Sequence, residues 1–341
     1  MQKKQKILVI RLSAMGDVAM TVPVLHALAQ QYPHLQITML SKPAFEPIFD
    51  SIPNIRFVAV DTQGKHKGFW GIYRLFEQLK SEHFDYIADL HNVLRSIILR
   101  TFFKIRNYKI AHINKGRSEK KALTRANNKI FKPLTSTHQR YAQVFEQLGF
   151  KLNIENINLP KAELLNAKIT TVTGQKSEKW IGVAPFAQHQ PKIYPLDLMQ
   201  QIIDYFANNQ QYKLFLFGGG KKEVNILNQI RKDYKNVIVV AGKLNLSEEL
   251  QLISNLNTML SMDSANAHLA AIYGVKTFVV FGATHPYAGF MPFNQPKEHA
   301  FIPDLEKYPL LPTSIYGNKF IKGYEDVMRT IDPNTIIQKL I

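Results

Sequence analysis

The chain has 341 residues, 45% of them apolar, with no cysteine and with 43 Lys and Arg against 26 Asp and Glu, a formal charge of +17. Such a length exceeds one typical core and suits two domains; the apolar share excludes a disordered chain, and the lack of cysteine excludes disulfides and thiolate metal sites, as fits a reducing compartment. No apolar run approaches the ~20 residues of a membrane span, and the first stops at Arg11, too short for a signal sequence, so a cytoplasmic protein is expected.

In chain order, the candidate strands of the first half are KILVIR from Lys6, QITML (36–40), RFVAV (56–60), DYIADL (85–90) and YKIAHI (108–113). Helical patterns such as GIYRLFEQLKSE and QRYAQVFEQLGF separate or follow them. Short apolar strands joined by helices predict a parallel sheet covered on both faces. The first strand runs into RLSAMGDVAMTVP, where Asp17 opens a helix whose Val18, Val22, Leu25 and Ala29 share a face; Asp17 there is a helix cap or a reactive carboxylate. Pro23 either occupies a first turn or kinks that helix. The loop DLHNVLRS after the fourth strand carries Asp89, His91, Arg95 and Ser96. Residues 95–140 hold 13 Lys or Arg and one acid, Glu119. That imbalance is either a solvated surface or a receptor for a polyanion: phosphorylated lipid, anionic membrane or nucleic acid.

A polar stretch, 159–179, reads as a linker. The alternation then restarts with WIGVAP (180–185), YKLFLFGGG (212–220), NVIVVAG (236–242), TMLSM (258–262) and KTFVVFG (276–282). The loop FAQHQPK ends in Lys192, a cation that would neutralise a leaving phosphate. LFGGGKKE brings Gly218, Gly219 and Glu223 to a strand–helix turn, where glycines admit phosphate to backbone N–H groups; it is neither Gly-x-Gly-x-x-Gly nor a P-loop. NLSEELQL offers a capping box between Asn245 and Glu248. In SMDSANAHLAAIYGV, Asp263 and Ser264 follow a strand and open a helix on which His268 lies one turn beyond Ser264. A free helix N-terminus there suits a diphosphate, while Ser264 as a cap and His268 as a core residue remain the plain alternative. No Asp-x-Asp pair, nucleophile elbow or His-Glu-x-x-His occurs, so the metal-dependent sugar-nucleotide site has no ligands here.

ILVIRLSAMGDVAMTVPVLHAL, DLHNVLRS and SMDSANAHLAAIYGVKTFVVFGATHP together resemble the family 9 glycosyltransferases, the bacterial ADP-heptose:lipopolysaccharide heptosyltransferases, in order and spacing over nearly the whole chain. The chain departs from that pattern at Ala265, where glycine is usual, at His91 and Asn92, which replace Gln-Gly, and in FAQHQPK, which lacks Thr-Thr before the lysine. The resemblance implies an α/β fold of the GT-B type, two Rossmann-like domains with parallel sheets facing an interdomain cleft. Its expected division is an acceptor-binding domain at 1–165, a nucleotide-sugar-binding domain at 175–320, and a last helix at 321–341 packing back on the first domain.

It also implies inverting, metal-independent transfer of a heptose without a cofactor, from an ADP-sugar donor to a phosphorylated, lipid-linked saccharide of the lipopolysaccharide core. Asp17 is then the general base and Lys192 stabilises the leaving diphosphate. Ser13, Gly16, Gly218, Gly219, Glu223, Lys243, Leu244, Asp263, Ser264, Ala265 and His268 would bind the donor, with Glu223 on the ribose. Arg95, Ser96, Arg117 and Lys120 would bind the acceptor, and the basic segment would meet the inner face of the cytoplasmic membrane. The alternatives are a family member using another sugar nucleotide or acceptor, a basic nucleic-acid-binding protein, which lacks any recognised nucleic-acid motif, and a Rossmann oxidoreductase, which lacks a glycine-rich first turn.

Overall fold

The computed structural model of the protein describes residues 5–341, in two compact units. The first comprises the chain up to Lys115 together with Thr137–Pro160, and the second comprises Gly116–Ser136 and Lys161–Ile341.

In chain order the first half forms β1 (Lys6–Ile10), α1 (Met15–Ala19), α2 (Thr21–Gln31), β2 (Gln36–Ser41), β3 (Ile55–Ala59), α3 (Gly68–Lys80), β4 (Tyr86–Asp89), α4 (Leu94–Ile105), β5 (Lys109–His112), α5 (Arg117–Thr124) and α6 (Thr137–Gln147). The five strands make one parallel sheet in the order β3-β2-β1-β4-β5. Ile7, Leu8, Val9 and Ile10 of the central strand are all fully buried, as expected of a parallel strand covered on both faces. α3 and α4 lay Ile72, Leu75, Phe76, Leu79, Leu99 and Phe103 on one core cluster with Leu8, Ile10, Leu40 and Ile87. The opening helix is interrupted at Met20, and Pro23 falls in the first turn of α2, where its missing N–H has no helical partner to lose. Ile10 stands level with Leu40 and Asp89. That register brings Arg11, Lys42 and His91 out at the same edge of the sheet.

The second half forms α7 (Ala167–Thr173), β6 (Lys179–Ala184), α8 (Leu196–Ala207), β7 (Tyr212–Leu216), α9 (Gly220–Arg231), β8 (Val237–Val239), α10 (Leu246–Ser254), β9 (Thr258–Met262), α11 (Ala265–Ile272), β10 (Lys276–Val280), β11 (Ala300–Phe301) and α12 (Pro333–Leu340). Its six parallel strands run in the order β11-β10-β9-β6-β7-β8. The Asn245 box is made in both directions, Glu248 N–H to Asn245 Oδ1 at 3.0 Å and Asn245 N–H to Glu248 Oε2 at 2.8 Å.

All ten expected strands form; β11, two residues long, was not among them. The expected partition of the chain needs correction. The segment 159–179 contains α7, capped by Asn166, and Gly116–Ser136 belongs to the second unit. There Leu123 shares a cluster with Ala288 and Ile315, the Leu134 N–H donates to Tyr287 O at 2.9 Å, and Lys129 Nζ donates to the carbonyls of Leu310 and Leu311. The last helix does not cover the first unit. Pro333 starts α12 afresh behind the Asp332 cap, and Ile336, Ile337 and Leu340 enter the core cluster of the second unit with Met199 and Ile203 of α8. No helix among the described residues is long and apolar enough to cross a membrane.

Candidate active site

Open parallel sheets bind ligands beyond the carboxyl ends of their strands where the strand order reverses. In the first unit that point lies between β1 and β4. Here Arg11, one residue past β1, donates Nη1 to Leu90 O at 2.8 Å and pairs Nη2 with Asp17 Oδ2 at 2.5 Å. Asp17 occupies the third position of α1 and accepts a long bond, 3.4 Å, from the Ala14 N–H. The cap is therefore present but weak, and the arginine is the closer partner. All of these contacts engage Oδ2. Oδ1 accepts no hydrogen bond among the described residues, and the Asp17 side chain is one-third exposed. The carboxylate is held by one oxygen and offers the other. Tyr141 adds a donor to the Asp17 carbonyl at 3.3 Å. Ser13 lies in the loop before α1 and Gly16 in its first turn, both partly exposed.

The loop after β4 is built on Asp89, which is fully buried and accepts from the His91 and Asn92 N–H groups at 2.9 and 2.8 Å and from Arg100 at 2.8 Å. This presents His91 beside β1, where Nδ1 faces the Leu12 N–H at 3.5 Å. Burial, and then the charges of Arg11, Lys115, Arg95 and Lys42, lower its pKa to about 3. Four cations, Arg11, Lys42 and Lys115 just past β1, β2 and β5 and Arg95 in the first turn of α4, thus act on a neutral imidazole. Arg95 was foreseen; Lys42 and Lys115 were not, and the signal for them was a lysine within three residues of an apolar strand's carboxyl end. Ser96 is corrected: its hydroxyl is buried, donates to Val93 O and accepts from Val93 N–H, so it caps α4 and is closed to an acceptor.

The His91 shift has a pH consequence. The folded ring takes up its proton near pH 3, the unfolded ring near 6.5, so between these values the unfolded chain binds more protons and stability rises with pH. The contribution is complete above about pH 6.5 and declines as pH falls; at pH 5 the loss is about 2 kcal/mol. Urea unfolding of His91→Gln at pH 7 and pH 5 is expected to show a fall smaller than wild type by about that amount; equal falls would remove His91 as the cause.

In the second unit the order reverses between β6 and β9. The loop after β6 brings Lys192 to Asp263, Nζ to Oδ2 at 2.8 Å, with both side chains nearly buried. Thr284, beyond β10, donates its hydroxyl to the same oxygen at 2.9 Å. Gly317 packs on the stem of Lys192 so closely that a Cβ there would overlap it. Asp263 lies two residues ahead of α11. Ser264 stands at the N-cap but makes no capping bond; its hydroxyl lies 3.1 Å from Ser261 Oγ. The first-turn N–H groups of α11, beginning at Ala265, are left without a side-chain cap beside a fixed ammonium group, the two elements of an anion site. His268 is buried one turn further on. Thr284 lies in the GATHP end of the stretch that carries the family resemblance but was not among the expected site residues.

The glycine turn opens α9. Gly218 is confined by Glu223 and Leu227, and Gly220 has φ +75°, so each is needed by the fold itself. Gly219 is extended, and a Cβ there would meet nothing within 4 Å. Glu223 Oε2 accepts from the Gly219 N–H at 2.7 Å, so the carboxylate expected on a ribose here closes its own turn. Lys243 is exposed and Leu244 buried ahead of α10. Because the fold leaves Gly219 unconstrained, Gly219→Ala is expected to keep Tm within about 1 °C while raising the donor KM about threefold or more; an unchanged KM would show that no ligand approaches this backbone.

Arg117 and Lys120, expected on the acceptor-binding domain, are carried by α5 on the second unit, with Lys120 Nζ 4.8 Å from the Phe290 ring centroid.

Each unit is thus a doubly wound parallel sheet with charged loops at its reversal point, the construction of nucleotide-dependent α/β enzymes. The model of glycosyltransferase family 9 (heptosyltransferase) matches residues 72–311, more than half of the chain, and the protein belongs to that family: it is a glycosyl-transferring enzyme. Among curated proteins it is 26% identical over 287 residues to the lipopolysaccharide core heptosyltransferase OpsX of Haemophilus influenzae, covering 82% of this chain and 79% of that one. It is 24% identical to lipopolysaccharide heptosyltransferase 3 of Escherichia coli over 79% of this chain and 80% of that one. The glycosyl transferase family 9 structure from Veillonella parvula superposes with a TM-score of 0.75 at 20% identity, covering 99% and 96% of the two chains. That of E. coli heptosyltransferase WaaC with ADP gives 0.66 at 16%, covering 98% and 97%. The fold is that of these GT-B heptosyltransferases.

Proposed function

We propose that the enzyme transfers a heptose from ADP-heptose to the inner core of a lipopolysaccharide or lipooligosaccharide, with inversion and without a metal ion, at the cytoplasmic face of an anionic membrane. The observation that carries this reading is the uncapped start of α11 beside the Lys192–Asp263–Thr284 network, which supplies positive potential for a departing diphosphate without a cation. The names of the relatives and a WaaC structure holding ADP-2-deoxy-2-fluoro heptose support the choice of donor. In the reaction the acceptor oxygen bonds to the anomeric carbon as the carbon–phosphate-oxygen bond breaks, ADP leaves from the opposite face, and the acceptor proton passes to Asp17 Oδ1. Lys42, Arg95 and Lys115 around His91 suit an acidic acceptor.

The test is ADP release from ADP-heptose with and without a lipid-linked core acceptor, in EDTA, with the product anomer read by NMR. Acceptor-dependent release and an inverted anomer are expected. Release only from UDP- or GDP-sugars would replace the donor, the second reading favoured by the unusual FAQHQPK loop and Ala265; retention or loss of activity in EDTA would overturn the mechanism.

A further inference from the structure

Among the described residues, fourteen large hydrophobic side chains are exposed, and six of them lie on two neighbouring helices of the first unit: Phe69, Trp70 and Tyr73 on α3, and Leu94, Ile97 and Ile105 on α4. Phe102 joins the two sets, its ring centroid 5.6 Å from that of Phe69 and 5.5 Å from that of Tyr73. Leu94, Ile97 and Ile105 repeat at helical spacing on the side of α4 away from Leu99 and Phe103, which fill the core; Thr101, between them, donates its hydroxyl to Ile97 O at 2.8 Å. A surface helix normally makes that outer side polar. A contiguous apolar face of this kind marks an interaction surface.

Its charge says what would cover it. Residues 65–109 carry nine Lys or Arg and four Asp or Glu. All four acids are engaged within the unit: Glu77 with Lys80, Glu82 with Arg56, Asp89 with Arg100, and Asp85 with the Lys6 N–H. Lys67, Arg74, Lys104 and Arg106 are exposed on the same two helices and at their ends. A second copy docked face to face would oppose these cations to themselves. Aromatic and aliphatic side chains within a basic rim are instead the composition of a protein surface seated at the headgroup level of an anionic bilayer. Both helices also begin at the strand-carboxyl edge of the sheet, with Leu94 three residues beyond His91, so the face adjoins the loops assigned to the acceptor.

We propose that the α3–α4 face docks on an anionic lipid bilayer, with Phe69, Trp70, Leu94 and Ile105 at the headgroup–acyl boundary and the surrounding lysines and arginines on the lipid phosphates. The inference rests on the reading of a lipid-linked acceptor for its purpose, but its test needs no sugar. The chain has two tryptophans, Trp70, 72% exposed, and Trp180, fully buried, so an emission change on adding vesicles reports Trp70. Vesicles of phosphatidylethanolamine and phosphatidylglycerol are expected to blue-shift the emission, less so at high salt, and phosphatidylcholine vesicles to leave it unchanged. Leu94→Glu/Ile105→Glu retains the reporter and should lower partitioning into the anionic vesicles by about tenfold or more, with the far-UV spectrum and the turnover of a delipidated acceptor as in wild type. Should that variant misfold, quenching of wild-type Trp70 by bromine on the acyl chains decides the matter. Absence of a blue shift, unquenched emission, a glutamate variant that binds like wild type, or a wild-type dimer that the variant dissociates would each overturn the proposal. Failure of sugar transfer with vesicle binding intact would instead count against the enzymatic reading alone.

Discussion

Asp17→Asn is expected to lower turnover by about 10²–10⁴-fold, the usual contribution of a positioned general base, while the donor KM stays near wild type. The substitution keeps the shape of the side chain and can retain an oxygen toward Arg11, so the α1 loop keeps its geometry; what it removes is the oxygen that takes the acceptor proton. The separation of roles follows from the contacts. Arg11 and the Ala14 N–H both engage Oδ2, and a carboxylate fixed through one oxygen presents the other in one orientation. In a transition state with oxocarbenium character its charge also acts electrostatically. Single-turnover measurements with saturating donor separate this loss from weakened binding. Turnover within about threefold of wild type would return Asp17 to the role of a helix cap.

How much of this was legible in the sequence differs between backbone and side chains. The ten strands were legible because parallel strands buried on both faces read as short apolar runs, as in residues 7–10 and 278–281. The capping box at Asn245 was legible because its chemistry is local. The excursion 116–136 was not: its few apolar residues, Leu123 and Leu134 among them, are satisfied by Ala288, Ile315 and Tyr287, more than 150 residues away, and nothing local declares such a partner. The last helix misled for the same reason, since the amphipathic spacing of Ile336, Ile337 and Leu340 shows that a face is buried but not against what. At the sites, the motif residues fell where the strand order reverses, but their partners lay on other strands. Thr284 beside Asp263, and Lys42 and Lys115 beside His91, are consequences of sheet order, whereas Arg11 meets Asp17 within the one segment that leaves β1. Ser96 erred in the opposite direction, because a serine in the first turn of a helix is at least as useful to the helix as to a ligand.

Lys192→Ala should cost about 10²–10³-fold in kcat, the scale on which removal of one preorganised charge donor reduces transition-state stabilisation. The lysine is preorganised by three things: its bond to Asp263, the Thr284 hydroxyl that shares the same oxygen, and Gly317, which leaves room for its stem. Charge on the departing diphosphate grows as the glycosidic bond breaks, so the loss falls on kcat more than on donor KM, where the α11 N–H groups still act. Two further variants distinguish a charge effect from a structural one. Thr284→Val keeps the lysine and its carboxylate but frees the oxygen they share, and is expected to reduce kcat by a smaller factor, about three- to tenfold. Lys192→Arg keeps the charge but not its position, because the planar fork cannot occupy the place of a compact ammonium on Asp263 Oδ2, and it should fall between wild type and alanine. If Lys192→Ala raised the donor KM and left kcat intact, the lysine would be a binding residue only, and the departing charge would rest on the helix terminus alone.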